Sequence, residues 1–403
     1  MSTSEPTPHL HADEESRDRA ADDWGHLVRL RPRAVARPST VDEIVAAVEH
    51  AEARELPYAV RGQGHSATGA TQVEGGIVID TSGFRAVHHV DHDRITVDAG
   101  ARWSEVLRAS LALGRTPPVL TDYLELSVGG TLSVGGIGGA SHRHGLQADN
   151  VLELEVRTPD GTIRTCSAAE DRALFDAVRG GHGRHGIILR ATLRLTPAPE
   201  RVSRRLLGYD SLPDFLTDQR RLIAGREFDH LEGLAKPADD GSGWQYLLDV
   251  ATHYTWTPPS FTGHGLRHRT EECLDQEYFE FLDAMAPHEA LLRETGAWHQ
   301  PHPWLNAILP DSAADEVIAE TMRALDPADL GVPDGGLVLL YPFHTNAIRT
   351  PQCRLPDEPV AFLFALLRTA PADDGAALRR MLDGNEILRR RTLDSGGFIY
   401  LEP

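Results

Sequence analysis

The sequence is poor in positive charge, and lysine is nearly missing from it. Its 403 residues include 60 acidic against 40 basic residues, which gives a formal net charge of −20. Lys236 is the only lysine. Because nucleic acids and anionic membranes bind basic surfaces, this balance argues against either of them as the main partner.

Cysteines and long apolar runs are also scarce. The three cysteines, Cys166, Cys273 and Cys353, are far apart and form no Cys-x-x-Cys motif, which argues against a disulfide framework or a cysteine-rich zinc site. No run of 18 apolar residues could cross a membrane, and the N-terminus is too polar for a signal peptide. We therefore expect a cytoplasmic protein in which residues 1–24 form a flexible tail.

Metal-ligand patterns are missing as well. His142, His182 and His185 come closest to such a set. They have neither the carboxylates nor the cysteines that usually accompany histidines at a metal site, so no metal is expected.

The first motif that suggests chemistry is the loop Arg61-Gly62-Gln63-Gly64-His65-Ser66. An amphipathic helix is predicted before it, over residues 39–51, and a strand after it, over residues 77–81. The two glycines allow a tight turn in which backbone N–H groups can approach an anion. The histidine at its end is nucleophilic when neutral. Taken alone, a structural turn with a packed histidine is the more common case.

A second segment, from residue 129 to 139, holds six glycines. Such a density disfavours regular helix and strand and is typical of backbone packed directly against a ligand. A flexible linker is the alternative interpretation. Linkers are polar, however, whereas Val128, Leu132, Val134 and Ile137 are apolar.

The rest of the chain predicts mixed secondary structure with a boundary near residue 198. Residues 151–156 and 163–166 alternate with a period of two around Asp160-Gly161, which predicts a hairpin. A β run over residues 187–195 ends at closely spaced prolines. Further strands are predicted at 338–341 and 361–367, and helices at 314–325 and 375–391.

Together these motifs resemble the FAD-linked oxidoreductases of the vanillyl-alcohol oxidase/p-cresol methylhydroxylase (PCMH-type) superfamily, and most closely its cytokinin dehydrogenase branch. The resemblance implies an α+β fold in two parts. A PCMH-type FAD-binding domain is expected over residues 25–198, and a substrate domain with an antiparallel sheet flanked by helices over 199–403. The matching segments are the Gly-His loop, residues 122–139, 143–145, 186–188, 302–306 and 341–342.

The resemblance implies that FAD is bonded covalently to His65. No cysteine lies between residues 121 and 145, so the second, cysteinyl link of some superfamily members is not expected. The pyrophosphate is expected on the backbone amides of residues 62–66. The cofactor-binding residues implied are Val60, Gly62, Gln63, Gly64, Ser66, Ala70, Asp122, Ser127, Gly130, Ser133, Ile137, Gly138, Ile188 and Tyr400.

Asp122 matches the family's catalytic aspartate. The resemblance implies that it accepts the proton of a substrate amine while a hydride leaves the neighbouring carbon, and a positioned base of this kind contributes ~10²–10⁴-fold. Capping of the following turn is the alternative role. Trp304, Asn306 and Leu401 are implied to bind the substrate; for the first two, a core tryptophan and a hydrogen-bonded amide are the alternative.

The expected function is oxidation of an N6-isopentenyladenine-type cytokinin, a small molecule, to an imine that is then hydrolysed. The substrate-domain segments match the family less well, so an alcohol, a sugar or a bacterial secondary metabolite is an alternative substrate. A flavin-binding protein without turnover is a further alternative. The sequence leaves the electron acceptor and the oligomeric state open.

Family members continue beyond the motif matched by Tyr400-Leu401, whereas this sequence stops at Pro403. In those relatives the additional tail helps to cover the flavin. We therefore expect a flavin pocket that is more open than theirs.

Overall fold

The computed structural model describes residues 8–238, 241, 243–261, 265–331 and 336–402. In that part of the chain, no helix is both long and apolar enough to cross a membrane. Helices pack on a small, mainly parallel sheet and on two larger antiparallel sheets, which confirms the expected α+β class.

The small N-terminal sheet has the strand order β1-β2-β4-β3, in which β2 and β3 both pair parallel with β4. Its strands are β1 (Leu10–His11), β2 (Ala34–Ala36), β3 (Tyr58–Arg61) and β4 (Ile77–Asp80). Helix α2 (Val41–Glu52) begins at Thr40, whose hydroxyl accepts a hydrogen bond from the Glu43 N–H, and packs Ile44 and Val48 into the core of this sheet. The Gly-His loop directly follows β3.

The second sheet is antiparallel, with five strands in the order β5-β6-β10-β8-β9. The predicted hairpin is confirmed, because β8 and β9 pair around Asp160-Gly161, where Gly161 has a φ of 87°. Its strands are β5 (Val87–Val90), β6 (Arg94–Asp98), β8 (Val151–Arg157), β9 (Ile163–Ser167) and β10 (Ile187–Arg194). Two short strands, β7 (Arg115–Thr116) and β11 (Thr196–Pro197), pair beside it.

The third sheet is antiparallel and has eight strands in the order β15-β12-β14-β13-β17-β18-β16-β19. One hydrophobic core extends from the second sheet into this one, so the two sheets pack as one continuous unit. Its strands are β12 (Arg201–Tyr209), β13 (His230–Pro237), β14 (Trp244–Tyr254), β15 (Thr270–Glu277), β16 (Leu305–Pro310), β17 (Leu337–His344), β18 (Val360–Leu367) and β19 (Phe398–Ile399).

The other helices cover the faces and ends of these sheets. They are α1 (Glu14–Ala20), α3 (Trp103–Leu111), α4 (Val128–Val134), α5 (Ser141–His144), α6 (Arg172–Val178), α7 (Leu212–Gly225), α8 (Tyr278–Leu282), α9 (Met285–Glu294), α10 (Asp311–Ala324) and α11 (Gly375–Asp394). The two helices predicted near residues 314–325 and 375–391 are confirmed as α10 and α11.

The prediction of a flexible tail over residues 1–24 is wrong for residues 8–24, and residues 1–7 lie outside the described part. Strand β1 pairs with β2, and Asp13 caps α1 by accepting a hydrogen bond from the Ser16 N–H. Trp24 is only 7% exposed. The polar composition is misleading here, because a few buried apolar residues anchor the segment: Ala20 packs against the first sheet, and Trp24 stacks on His65 of the Gly-His loop.

The prediction that residues 129–139 form no regular helix is also wrong, because α4 occupies residues 128–134. Glycine costs about 1 kcal/mol in a helix interior relative to alanine. Packing outweighs this cost: Val128 and Leu132 are fully buried, and a Cβ on Gly129 would lie 2.8 Å from the Ala99 Cβ. The helix thus needs these glycines to approach its neighbours.

Candidate active site

The Gly-His loop makes a tight turn after β3 and lies against the start of α4. Gly64 has a φ of 69°, a conformation that favours glycine. A Cβ on Gly62 would overlap with the Ser127 hydroxyl oxygen, so the loop can approach α4 only without a side chain there. Among the described residues, no hydrogen bond comes from the N–H groups of residues 63–66. They remain available to an anion.

His65 lies at the centre of an aromatic cluster. Its ring stacks on Trp24, with centroids 4.7 Å apart, and contacts Tyr123 at 4.9 Å. Burial, with smaller contributions from His302 and Arg293, lowers the pKa of His65 to about 3. The imidazole is therefore neutral at physiological pH, which is the nucleophilic form.

Asp122 directly precedes Tyr123, the residue whose ring contacts His65. Asp122 keeps solvent-accessible surface, yet its carboxyl group is deep enough among protein atoms for burial to be the main cause that raises its pKa. The Glu232 carboxyl is close enough to share a hydrogen bond with it when one of the two is protonated, and among the described residues no backbone N–H donates to Asp122. The structure therefore gives no support to a turn-capping role for Asp122.

Glu232 comes from β13, in the other half of the chain, and sequence reasoning missed it. It is 9% exposed, and burial followed by repulsion from Asp122 raises its pKa well above the usual range. Two neighbouring carboxyls cannot both ionise at low cost, so this arrangement favours a proton shared by the pair. The available signal was an acidic residue inside the otherwise apolar run Leu231–Ala235.

Charged and aromatic groups surround this carboxyl pair. Asp249 lies opposite Glu232 on β14 and is neutralised by Arg204, whose Nε donates to it at 3.0 Å. The Nε2 atom of His230 is 3.8 Å from a Glu232 carboxyl oxygen. Burial, then the two carboxyls, raises the pKa of Tyr341 well above its usual range, so its hydroxyl keeps its proton. Among the described residues, no arginine or lysine forms a salt bridge with either carboxyl of the pair.

Trp298 and Trp304 complete the aromatic wall. Trp304 lies 6.3 Å from His65 between ring centroids, and Trp298 lies 6.1 Å from it. Among the described residues, the buried indole N–H of Trp304 has no acceptor, and the same holds for Trp24. A buried donor without an acceptor costs about 1–3 kcal/mol, which is typical of a group reserved for a ligand.

These observations were compared with known proteins. The family model "FAD binding domain" matches residues 32–167, and the family model "Cytokinin dehydrogenase 1, FAD and cytokinin binding" matches residues 265–396. Cytokinin dehydrogenase 10 of Oryza sativa subsp. japonica is 36% identical, over 90% of this chain and 75% of its own. The chain belongs to the cytokinin dehydrogenase family of FAD-dependent oxidoreductases.

Two further relatives extend the family match over almost the whole chain. An uncharacterised oxidoreductase, ORF5 of the fasciation locus of Rhodococcoides fascians, is 42% identical over 97% of this chain and 89% of its own. Cytokinin dehydrogenase 3 of Arabidopsis thaliana is 32% identical over 96% of this chain and 82% of its own. Both coverages include the two halves that supply Asp122 and Glu232.

The residues present fit FAD, the cofactor of this family. The free N–H groups of residues 63–66 suit a pyrophosphate, and the Gly62–Ser127 approach leaves a side-chain-free surface beside them. Gly130 adds to this surface, since a Cβ there would lie 2.9 Å from the Ser127 hydroxyl oxygen. The Gly-His loop and the start of α4 would therefore hold the phosphate part of the cofactor.

The C-terminal strand brings Tyr400 to the glycine-rich segment. The Tyr400 hydroxyl accepts a hydrogen bond from the Gly136 N–H at 2.9 Å. The backbone N–H of Tyr400 donates to the Asn306 carbonyl at 2.8 Å. Asn306 lies on β16, two residues after Trp304. Leu401 is 40% exposed with a φ of 76°, so it is the least enclosed of the predicted substrate residues. The predicted openness of the flavin pocket stays a prediction.

The other predicted cofactor residues lie around the cleft at different depths. Ser133 donates from its hydroxyl to the Gly129 carbonyl at 2.7 Å, and a Cβ on Gly138 would overlap with the Leu120 carbonyl oxygen. Gln63 and Ala70 are exposed, whereas Ile188 is buried on β10. Those of intermediate burial are Val60, Ser66 and Ile137. Contact of each with FAD stays a prediction.

A cavity of about 370 Å³ opens beside Tyr123. It lies between the segment Tyr123–Glu125 and α9, from which Glu289 contributes to raising the pKa of Tyr123, after the larger effect of burial. Because the Tyr123 ring also contacts His65, this cavity adjoins the aromatic cleft.

We expect Gly62→Ala to lower the FAD content of the purified protein, because the added methyl group forces the loop away from Ser127. The cost of such overpacking is about 1–3 kcal/mol. Removing the hydroxyl in the double variant Gly62→Ala/Ser127→Ala should restore part of the loss. Gly83→Ala is the matched control, since its Cβ would meet only the Pro38 carbonyl at 3.6 Å. An FAD content unchanged in Gly62→Ala would show that this approach does not shape the site.

Proposed function

We propose that the chain oxidises the CH–NH bond of a cytokinin with an N6-isopentenyladenine-type side chain. The observation that carries the proposal is the pair of neighbouring carboxyls of Asp122 and Glu232, whose pKa values are both raised, next to Tyr123, whose ring contacts His65. The family membership supports the same chemistry. The products would be an imine, then adenine and an aldehyde after water adds to the C=N bond.

FAD, when bound, supplies a two-electron acceptor for the hydride. Asp122 would accept the proton of the substrate's exocyclic N–H as the C–H bond is broken. A carboxylate is a sufficient base here because surrounding protein atoms raise its pKa, which brings its basicity closer to that needed near neutral pH.

Glu232 keeps Asp122 in its ionised, oriented form. Because burial makes Glu232 the harder of the two to ionise, the shared proton lies on Glu232 and is donated to Asp122. This hydrogen bond fixes the carboxylate and leaves its other oxygen free for the substrate. Glu232 is thus a positioning residue.

The aromatic wall suits a flat, apolar-sided purine. Trp298 and Trp304 offer ring faces and edges for stacking, and the unpaired Trp304 N–H offers one donor to a ring nitrogen. A purine presents a flat aromatic face to these rings, whereas a sugar contacts them only through its C–H groups, so the wall favours the adenine derivative.

His65 is proposed as the residue that bonds FAD covalently. Joining an imidazole nitrogen to a methyl carbon of the flavin ring forms one C–N bond and breaks one N–H and one C–H bond. Two electrons and two protons pass to an external oxidant such as dioxygen. The neutral imidazole that burial enforces can supply the nitrogen lone pair for this bond.

The function is tested by anaerobic mixing of the purified yellow holoenzyme with candidate electron donors. N6-isopentenyladenine should bleach the flavin within one turnover, whereas benzyl alcohol and glucose should not. Bleaching by one of the latter alone would assign the flavin chemistry to another substrate class. No bleaching by any donor would indicate a flavin-binding protein without turnover.

We expect kcat/KM for the cytokinin to fall on both sides of neutrality. On the acid side Asp122 gains a proton, and since its pKa is raised, this happens at higher pH than for an ordinary aspartate. On the alkaline side Glu232 loses its proton, and the pair becomes doubly charged. Glu232→Gln keeps a donor to Asp122 but cannot ionise, so the alkaline limb should disappear while the acid limb stays.

Profiles of Glu232→Gln and Glu232→Ala separate this role from simple packing. The alanine variant removes the hydrogen bond that favours ionised Asp122, so its acid limb should move to higher pH. An alkaline limb that persists in Glu232→Gln would contradict the shared-proton arrangement.

A further inference from the structure

We propose that Trp24, on the N-terminal arm (residues 8–26), is a positioning residue that holds the His65 ring for covalent attachment of FAD. This inference rests on the proposed role of His65 as the attachment residue. It assigns a part in the site to a segment whose sequence predicts only a flexible tail.

The arm is fastened to the Gly-His loop through its backbone. The Trp24 N–H donates to the Gly64 carbonyl at 2.9 Å, and the Gly25 N–H donates to the Ser66 carbonyl at 3.1 Å. These two bonds flank His65 on the loop, with acceptors one residue before it and one residue after it. A Cβ on Gly25 would lie 2.6 Å from the Ala67 Cα, so the contact leaves no room for a side chain.

Buried polar groups on both sides hold the arm in this register. Asp23 is 3% exposed, and its carboxyl accepts hydrogen bonds from the Gly69 N–H at 2.8 Å and from the Gly25 N–H at 3.2 Å. From the loop side, Arg61 donates to the Asp22 carbonyl at 2.6 Å. Removing one partner of such bonds leaves a buried group unpaired, so the register is well specified.

The arm thereby places the Trp24 indole between two imidazoles. It stacks on His65 with centroids 4.7 Å apart and an interplanar angle of 19°, and on His302 at 3.8 Å and 9°. A histidine ring can rotate about two side-chain torsions, and a stacked partner on one face removes that freedom. Tyr123, at 4.9 Å, limits the ring from another side.

Fixed orientation matters for the bond that His65 is proposed to make. One C–N bond must form as an N–H and a C–H bond break, with two electrons and two protons passing to an external oxidant such as dioxygen. The nitrogen lone pair must point at the methyl carbon, and a misplacement of about 1 Å can cost 10²-fold in rate. Trp24 supplies this alignment by stacking on the His65 ring, and it makes no hydrogen bond to the reacting atoms.

The test compares the unchanged protein, Trp24→Phe, Trp24→Leu, His65→Ala and the exposed control Trp256→Ala, each produced as full-length protein without flavin and then incubated with excess FAD. The measured quantity is flavin fluorescence of the polypeptide on a denaturing gel, over time. Trp24→Leu keeps an apolar group but loses the stacked ring, so covalent flavin should appear about tenfold more slowly while FAD still binds reversibly. Trp24→Phe should restore most of the rate, and Trp256→Ala should behave like the unchanged protein.

The outcomes separate this inference from the proposed attachment itself. Covalent flavin in His65→Ala would overturn the attachment role, whatever Trp24 does. Normal attachment in Trp24→Leu, with none in His65→Ala, would overturn only the role of Trp24. If Trp24→Leu loses reversible FAD binding or melts at much lower temperature, or if phenylalanine fails to rescue it, Trp24 is a structural residue and the inference is wrong.

Discussion

Replacing Asp122 with asparagine should slow anaerobic reduction of the bound flavin by the cytokinin about 10²–10⁴-fold. The amide is nearly the same size but cannot accept the amine proton, so the loss falls on the chemical step. Binding of FAD should be unaffected, because no backbone hydrogen bond depends on this carboxyl. Stopped-flow absorbance of the oxidised flavin measures the rate directly.

Two comparisons make this experiment decisive. Asp93→Asn changes an exposed aspartate outside the cleft and should leave the reduction rate unchanged. Glu232→Gln should slow reduction much less than Asp122→Asn near neutral pH, because the donor to Asp122 is kept. Reduction of Asp122→Asn at the normal rate would rule out the base role, and loss of its flavin would assign Asp122 to structure instead.

Replacing His65 with alanine should release all of the flavin from its covalent bond. In the unchanged protein, acid precipitation should leave the yellow colour in the pellet, because the bond survives denaturation. In His65→Ala, the colour should appear entirely in the supernatant. All of the covalently bound flavin should therefore be lost. This loss and the slower flavin reduction in Asp122→Asn are the two largest effects that we expect.

Replacing the exposed His89 with alanine provides the matched control, since it removes an imidazole outside the cluster. The variant should keep its flavin in the pellet. Free colour in the supernatant of the unchanged protein would contradict the proposed covalent bond, while leaving FAD binding and the family membership intact.

Local sequence patterns predicted the parts of the site that lie within one short segment. The Gly-His loop follows a strand, and its glycines allow the turn that the structure shows at Gly64. Asp122 stands at the start of the glycine-rich segment, as the resemblance implied. In each case the residues that determine the geometry are neighbours in the chain.

Parts of the site that depend on distant contacts could not be predicted in the same way. Glu232 meets Asp122 only because β13 is tied to the glycine-rich segment, where the Leu231 N–H donates to the Gly139 carbonyl at 3.0 Å. Trp24 contacts His65 because two backbone hydrogen bonds align the arm with the loop. Helix α4 likewise forms despite its glycines, since tertiary packing outweighs helix propensity.

The tie between Leu231 and Gly139 also bears on how such enzymes can diverge. Because the two carboxyls come from opposite halves of the chain, neither half would carry the proposed acid–base function by itself. A recombination that exchanged one half for that of a distant relative would preserve activity only if both carboxyls, and the backbone contact that aligns them, were inherited together. The pair therefore restricts which ancestral halves could have been combined into a working enzyme.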